Sequence, residues 1–129
     1  MTQTAAEMVR QAMAEIDTVS PNDAFDEMTS DHMAFLDIRE PVEWEDHIAG
    51  AVQVPRGLLE FVADPASPKH NPELDPGRRV IVYCRSGTRA ALATRTLKTL
   101  GFENVANLEG GFSAWKEAGL PTDEHHTDF

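Results

Sequence analysis

The chain has a single cysteine, Cys84, among its 129 residues. One thiol forms no internal disulfide and no Cys-x-x-Cys pair. A dithiol redox mechanism and a multi-cysteine zinc site are therefore excluded. Cations are also scarce: 11 Lys and Arg stand against 22 Asp and Glu, giving a net charge of −11 with histidine neutral. Phosphate affinity comes mainly from clustered cations, so binding to nucleic acid or to an acidic membrane is not expected. A small local anion site remains compatible with this balance. No apolar run approaches the roughly 18 residues of a membrane span. The start MTQTAAEMVRQAM lacks the basic segment and continuous apolar core of a signal peptide. A cytoplasmic location is the resulting expectation. Internal repeats, low-complexity tracts and Gly/Ser linkers are absent. The hydrophobic fraction of 41% and charged fraction of 26% suit one soluble globular domain that buries its own core.

The apolar pattern sets the expected elements. Ala5, Met8, Val9, Ala12, Met13 and Ile16 share one helical face, which predicts a helix over 3–16. Ser20-Pro21 reads as an N-cap followed by Pro at the first helical position, opening a short helix over about 21–28. AFLDI (34–38) and AVQVP (51–55) read as short strands, and a helix is expected over 56–63. The stretch 64–77 carries prolines 65, 68, 72 and 76 and reads as a long loop, a type that is often functional. RVIVYC (79–84) is the clearest strand. A helix from Thr88 to about Leu100, capped by Gly101, the strand NVANL (104–108) and a helix over 111–119 complete the pattern. The tail TDEHHTDF is expected to be frayed. Strands alternating with helices predict a parallel sheet covered on both faces. Ligands of such sheets bind beyond the carboxyl ends of the strands, where Asp37, Arg39 and Cys84 fall.

The segment Cys84-Arg85-Ser86-Gly87-Thr88-Arg89 lies between a strand and a helix. Cys84 is either a buried inert thiol or a nucleophile. A short strand-to-helix turn aims successive backbone N–H groups inward, and the helix start adds its positive dipole end. Gly87 allows a conformation that a side chain obstructs. Arg85 and Arg89 add two positive charges, and Thr88 or Ser86 can cap the helix. All of these features favour thiolate over thiol and suit a nucleophile that attacks a sulfane sulfur and then carries it.

With these segments in view, the chain resembles the single-domain rhodanese-like sulfurtransferases. The resemblance runs through TVSPNDAF (18–25), LDIREPVEW (36–44), HIAGAVQVP (47–55), IVYCRSGTRA (81–90) and NVANLEGGFSAWKEAGLP (104–121). It implies an α/β fold, a central parallel five-stranded sheet with helices on both faces. It divides the chain into an N-terminal helical extension (1–17), a rhodanese domain (18–122) and a frayed tail (123–129). It implies that Cys84 bears a persulfide, cradled by the amides of Arg85, Ser86, Gly87, Thr88 and Arg89. Arg85 would face anionic donors, and Arg89 would buttress the loop through an acid. Asp37, Arg39 and Glu40 would support the domain near the site without touching substrate. Two features depart from the pattern. Asp46 stands where relatives commonly have glycine, in a stretch from Arg39 to His47 one residue shorter than usual; His47 is read as structural. Loop 64–77 is longer than in the smallest relatives and is a candidate wall of the site, with His70 as a candidate contact.

The expected reaction moves a sulfane sulfur from a small anionic donor such as thiosulfate to cyanide or a thiol. A protein persulfide carrier and a non-catalytic rhodanese binding or regulatory module are the alternatives. A related cysteine phosphatase is disfavoured, because those loops place five residues between cysteine and arginine and this one places four (85–88). No metal or organic cofactor is expected. His125-His126 lacks metal-site spacing. Trp44 and Trp115 are read as packing residues. A protein sulfur acceptor is a further candidate partner.

Overall fold

The computed structural model describes residues 2–30 and 32–124. Seven strands and five α-helices are present among them: α1 (Ala5–Glu15), β1 (Asp17–Val19), α2 (Pro21–Glu27), β2 (Met33–Asp37), β3 (Asp46–Ile48), β4 (Val52–Gln53), α3 (Leu59–Ala63), β5 (Arg79–Tyr83), α4 (Thr88–Thr99), β6 (Val105–Leu108), α5 (Gly111–Glu117) and β7 (Thr122–Glu124). Single 3₁₀ turns cover Pro41–Glu43 and Arg56–Leu58, so the helix expected over 56–63 begins as 3₁₀. The helix starts follow local chemistry. Thr4 accepts the Glu7 N–H ahead of α1, and Ser20 accepts the Asp23 N–H with Pro21 at the first helical position of α2.

Five strands form one parallel sheet in the order β1-β6-β5-β2-β4. Side chains alternate across it with period two. Leu36, Ile38, Val80, Val82 and Val105 face the layer that includes α3 and α4. Phe35, Ile81, Tyr83 and Leu108 face Ala24 of α2 and Phe112 and Trp115 of α5. Trp115 is wholly buried, stacks edge-on with Phe35 at 5.2 Å and donates to the Pro121 carbonyl. The packing role expected of it therefore holds. Helix α1 rests on α4, where Lys98 donates to the Glu15 carbonyl. Its apolar face is only partly covered: Ala12 is buried, whereas Met8 and Met13 stay 39% and 40% exposed.

Three strands, β1, β3 and β7, stand outside the sequence expectation. Asp17–Val19 supplies the fifth strand of the sheet. Thr122–Glu124, read as the start of a frayed tail, instead pairs antiparallel with Asp46–Ile48. Backbone hydrogen bonds hold that ribbon, and the side chains of 122–124 are exposed, so no apolar pattern marks it. His125 and His126 lie outside the described residues. No helix among the described residues is long and apolar enough to cross a membrane.

Candidate active site

Cys84 directly follows β5, which lies between β6 and β2. It is 1% exposed. Its Sγ accepts hydrogen bonds from the Gly87 N–H at 3.1 Å and the Ala90 N–H at 3.4 Å. Ala90 is the third residue of α4, so its amide has no partner within the helix. The sulfur thus does the work of an N-cap side chain. Neither Ser86 nor Thr88 caps α4, contrary to expectation; the N-cap position is Gly87, held at φ 112°, where a side chain would be strained. Of the expected cradle of amides from 85 to 89, Gly87 is the one bonded to Sγ, and Ala90, just beyond the run, joins it.

The other side of the loop is tied to α5. The Phe112 N–H donates to the Cys84 carbonyl at 2.8 Å and the Ser113 N–H to the Arg85 carbonyl at 3.0 Å. These are amides of the first turn of α5, satisfied by the loop rather than by a cap. Gly111 makes this approach possible. A Cβ there would lie 2.6 Å from both carbonyl oxygens, and its φ is +62°. The Gly110-Gly111 pair is the mark of this approach in the sequence.

Arg89 makes a bidentate pair with Glu43, at 3.0 Å to each carboxylate oxygen. The hydrogen bonds from Arg89 hold the Glu43 carboxyl below its usual range, against the opposing effect of burial. Glu43 in turn holds the Arg89 guanidinium above its ordinary value. The Arg85 side chain is 62% exposed, with Nε 3.9 Å from Glu43. The acid that Arg89 meets is therefore Glu43, which no sequence motif singles out. Glu40, expected to act with Asp37 and Arg39, is exposed; its N–H donates to Glu43 at 2.9 Å and so helps to place that carboxylate.

Asp37 and Arg39 form a second, buried assembly, 0% and 1% exposed. Arg39 Nη2 lies 2.8 Å from Asp37 Oδ2 and 2.7 Å from the Asp46 carbonyl. The Tyr83 hydroxyl donates to Asp37 at 2.9 Å and accepts from the Ile48 N–H at 3.1 Å. The guanidinium lies 4.5 Å from the centre of the Phe112 ring, a cation–π geometry. Burial alone would lower the Arg39 pKa, but the hydrogen bonds and charge of Asp37 outweigh it and raise the value. Burial, and then the Asp37 charge, push the Tyr83 hydroxyl well above the ordinary tyrosine range.

A cleft of about 260 Å³ opens beside Arg85, bordered by Glu43, Phe112, Ser113 and Lys116. Asp46 pairs with Lys116 there. Asp46 thus ties β3 to α5. The His47 ring is bonded to the Trp44 carbonyl at 3.1 Å. Trp44 itself is half-buried. Loop 64–77 does not wall this cleft. Glu73, Asp75 and Gly77 border hollows beside Met33 and His32, at the opposite, amino edge of the sheet. His70 is tied to the Leu74 carbonyl at 2.9 Å. Among the described residues no three His, Cys, Asp or Glu side chains converge as a metal site.

The family model for the rhodanese-like domain matches residues 20–118. A thiosulfate sulfurtransferase of Arabidopsis thaliana, chloroplastic form 16, is 36% identical over 81% of this chain and 91% of its own length. The chain spans 55% and 26% of two longer curated relatives. Among solved structures, a protein of unknown function from Rhodopseudomonas palustris, described as a possible tyrosine phosphatase, superposes with a TM-score of 0.87 at 35% identity, covering 95% of this chain and 96% of that one. The polysulfide-sulfur transferase homodimer of Wolinella succinogenes gives a TM-score of 0.73 at 32% identity, covering 94% of this chain and 90% of that one.

Proposed function

The chain belongs to the rhodanese-like domain family, and on that premise we propose that it is a sulfurtransferase working through a persulfide on Cys84. The Cys84 thiolate attacks the outer sulfur of a donor such as thiosulfate. A new S–S bond forms, the donor's S–S bond breaks, and sulfite leaves with the electron pair. Cyanide or a thiolate then attacks the terminal sulfur of the persulfide, the Cys84–sulfur bond breaks, and the Cys84 thiolate returns. No oxidant, metal or second cysteine is required.

The single observation that carries this reading is the pair of amide N–H groups on Cys84 Sγ, at 3.1 and 3.4 Å. Donors aimed at sulfur stabilise negative charge there in a buried setting, where such bonds are strongest. The exposed Arg85 side chain beside the cleft supplies the charge that draws an anionic donor. Arg89 acts through Glu43 to hold the loop and the turn that carries Glu43 together. Thiosulfate as donor is supported by the name of the Arabidopsis relative, and polysulfide by that of the Wolinella protein. A protein thiol as acceptor changes only the second half-reaction. The spacing of Cys84 and Arg89, with four residues between them, supports a cradle for sulfur over one for a phosphoryl group.

Steady-state kinetics test the proposal. With thiosulfate and cyanide varied together, parallel double-reciprocal lines are expected, and Cys84→Ser should lose turnover while keeping its fold. Sulfur transfer retained by Cys84→Ser overturns the mechanism. Turnover of a phosphotyrosine analogue without sulfur transfer replaces it with the phosphatase.

A further inference from the structure

Helix α1 lies outside the family-matched residues, yet it reaches the cysteine loop. Its Val9 and Met13 line a cavity of about 180 Å³, which Ser86, Gly87 and Thr88 also line. Asn107 also lines this cavity. Asn107 is 2% exposed and sits on β6, in register with Thr18 of β1 and Val82 of β5. Its amide nitrogen donates to the Gly87 carbonyl at 3.4 Å and to the Met13 sulfur at 3.6 Å. Both of its protons are thus engaged, while Oδ1 has no partner. The reverse orientation of the amide would set that oxygen against a carbonyl and a thioether, neither of which donates. The two acceptors therefore fix the amide, at the expense of one orphaned oxygen.

Only Gly87 stands between this contact and the reacting sulfur. Gly87, whose carbonyl Asn107 holds, is also the residue whose N–H points at Cys84 Sγ. Glycine at positive φ has shallow conformational preferences, so it needs outside restraint to keep one orientation. The first turn of α4 supplies one restraint, the Ala91 N–H on the same carbonyl at 3.0 Å. Asn107 supplies the second from the sheet.

We propose that Asn107 is a positioning residue that fixes Gly87 so that its N–H stays on Cys84 Sγ, with Met13 of the N-terminal helix completing the grip. The helix is then a working part of the site rather than an appendage. This rests on Cys84 being the nucleophile.

Asn107→Leu keeps nearly the same volume and removes both donors. It should lower kcat about tenfold with little change in KM for thiosulfate, and slow alkylation of Cys84 by iodoacetamide at neutral pH about tenfold. Met13→Leu, at a partly exposed position, should slow alkylation by less. Alkylation is read without sulfur transfer, so failure of the sulfurtransferase reading appears as absent turnover in the parent protein. Failure of this proposal appears as an unchanged alkylation rate. An unchanged rate in a folded Asn107→Leu protein overturns the proposal. If that variant does not fold, an unchanged rate in Met13→Leu overturns it.

Discussion

Arg39 and Arg89 each grip a carboxylate at the same edge of the sheet, in opposite surroundings. The Arg39–Asp37 side chains are 2% and 0% exposed, and Tyr83, Phe112 and the Asp46 carbonyl close around them. The Arg89–Glu43 side chains are 40% and 19% exposed and flank the cysteine loop. Water screens the second pair and not the first, so identical chemistry has different consequences. The buried pair locks the ends of β2 and β5 to β3, and only the edge of Arg39 reaches the cleft beside Arg85. The open pair contributes little to stability, and its value lies in where it holds the loop that carries Cys84.

The largest expected effect lies on the buried side. Arg39→Ala leaves Asp37 buried without its counter-charge, and should cost about 3–5 kcal/mol in urea unfolding. That is a large share of the stability of a domain of this size. A loss no greater than that of a surface pair would break the distinction. Tyr83→Phe is the next step down. It leaves the charged pair in place but strands the buried Ile48 N–H, for an expected loss of about 1–3 kcal/mol in the same measurement.

Glu43→Gln probes the open side and should change stability by at most about 1 kcal/mol. Sulfur transfer should nevertheless fall about tenfold, because Arg89 loses its charged partner beside the loop. The same pair sets a pH dependence. The Glu43 carboxyl is held below the ordinary glutamate value of 4.5 by Arg89. A depressed folded value means that the pair contributes fully above the unfolded value and is lost as pH falls through the folded one. A pH profile of the parent protein should therefore show an acid limb below the ordinary glutamate range. In Glu43→Gln that limb should be missing, with activity at neutral pH near the low plateau of the parent.

Much of this arrangement is legible in the residues, and the parts that are not share a cause. The run Val80–Tyr83 and the Ser20-Pro21 start carry strong local signals, and they form where expected. The strand Asp17–Val19 is three residues long with only Val19 apolar, too short for periodicity to mark it. Thr122–Glu124 pairs with Asp46–Ile48 through its backbone, and its exposed side chains give no apolar pattern. Glu43 stands between Glu40 and Glu45, and only the three-dimensional approach of Arg89 distinguishes it from them. Ser86 and Thr88 suit an N-cap in isolation, but the cysteine sulfur takes that place because the strand end puts it under the first turn of α4. Local chemistry is thus readable in the sequence, while contacts between distant segments are not.

The central claim is that Cys84 carries the transferred sulfur, and intact-protein mass spectrometry tests it most directly. Incubation with thiosulfate should add one sulfur, about 32 Da, to Cys84, and cyanide should remove it. Sulfur transfer with no such adduct, or an adduct that persists in Cys84→Ser, would contradict the account.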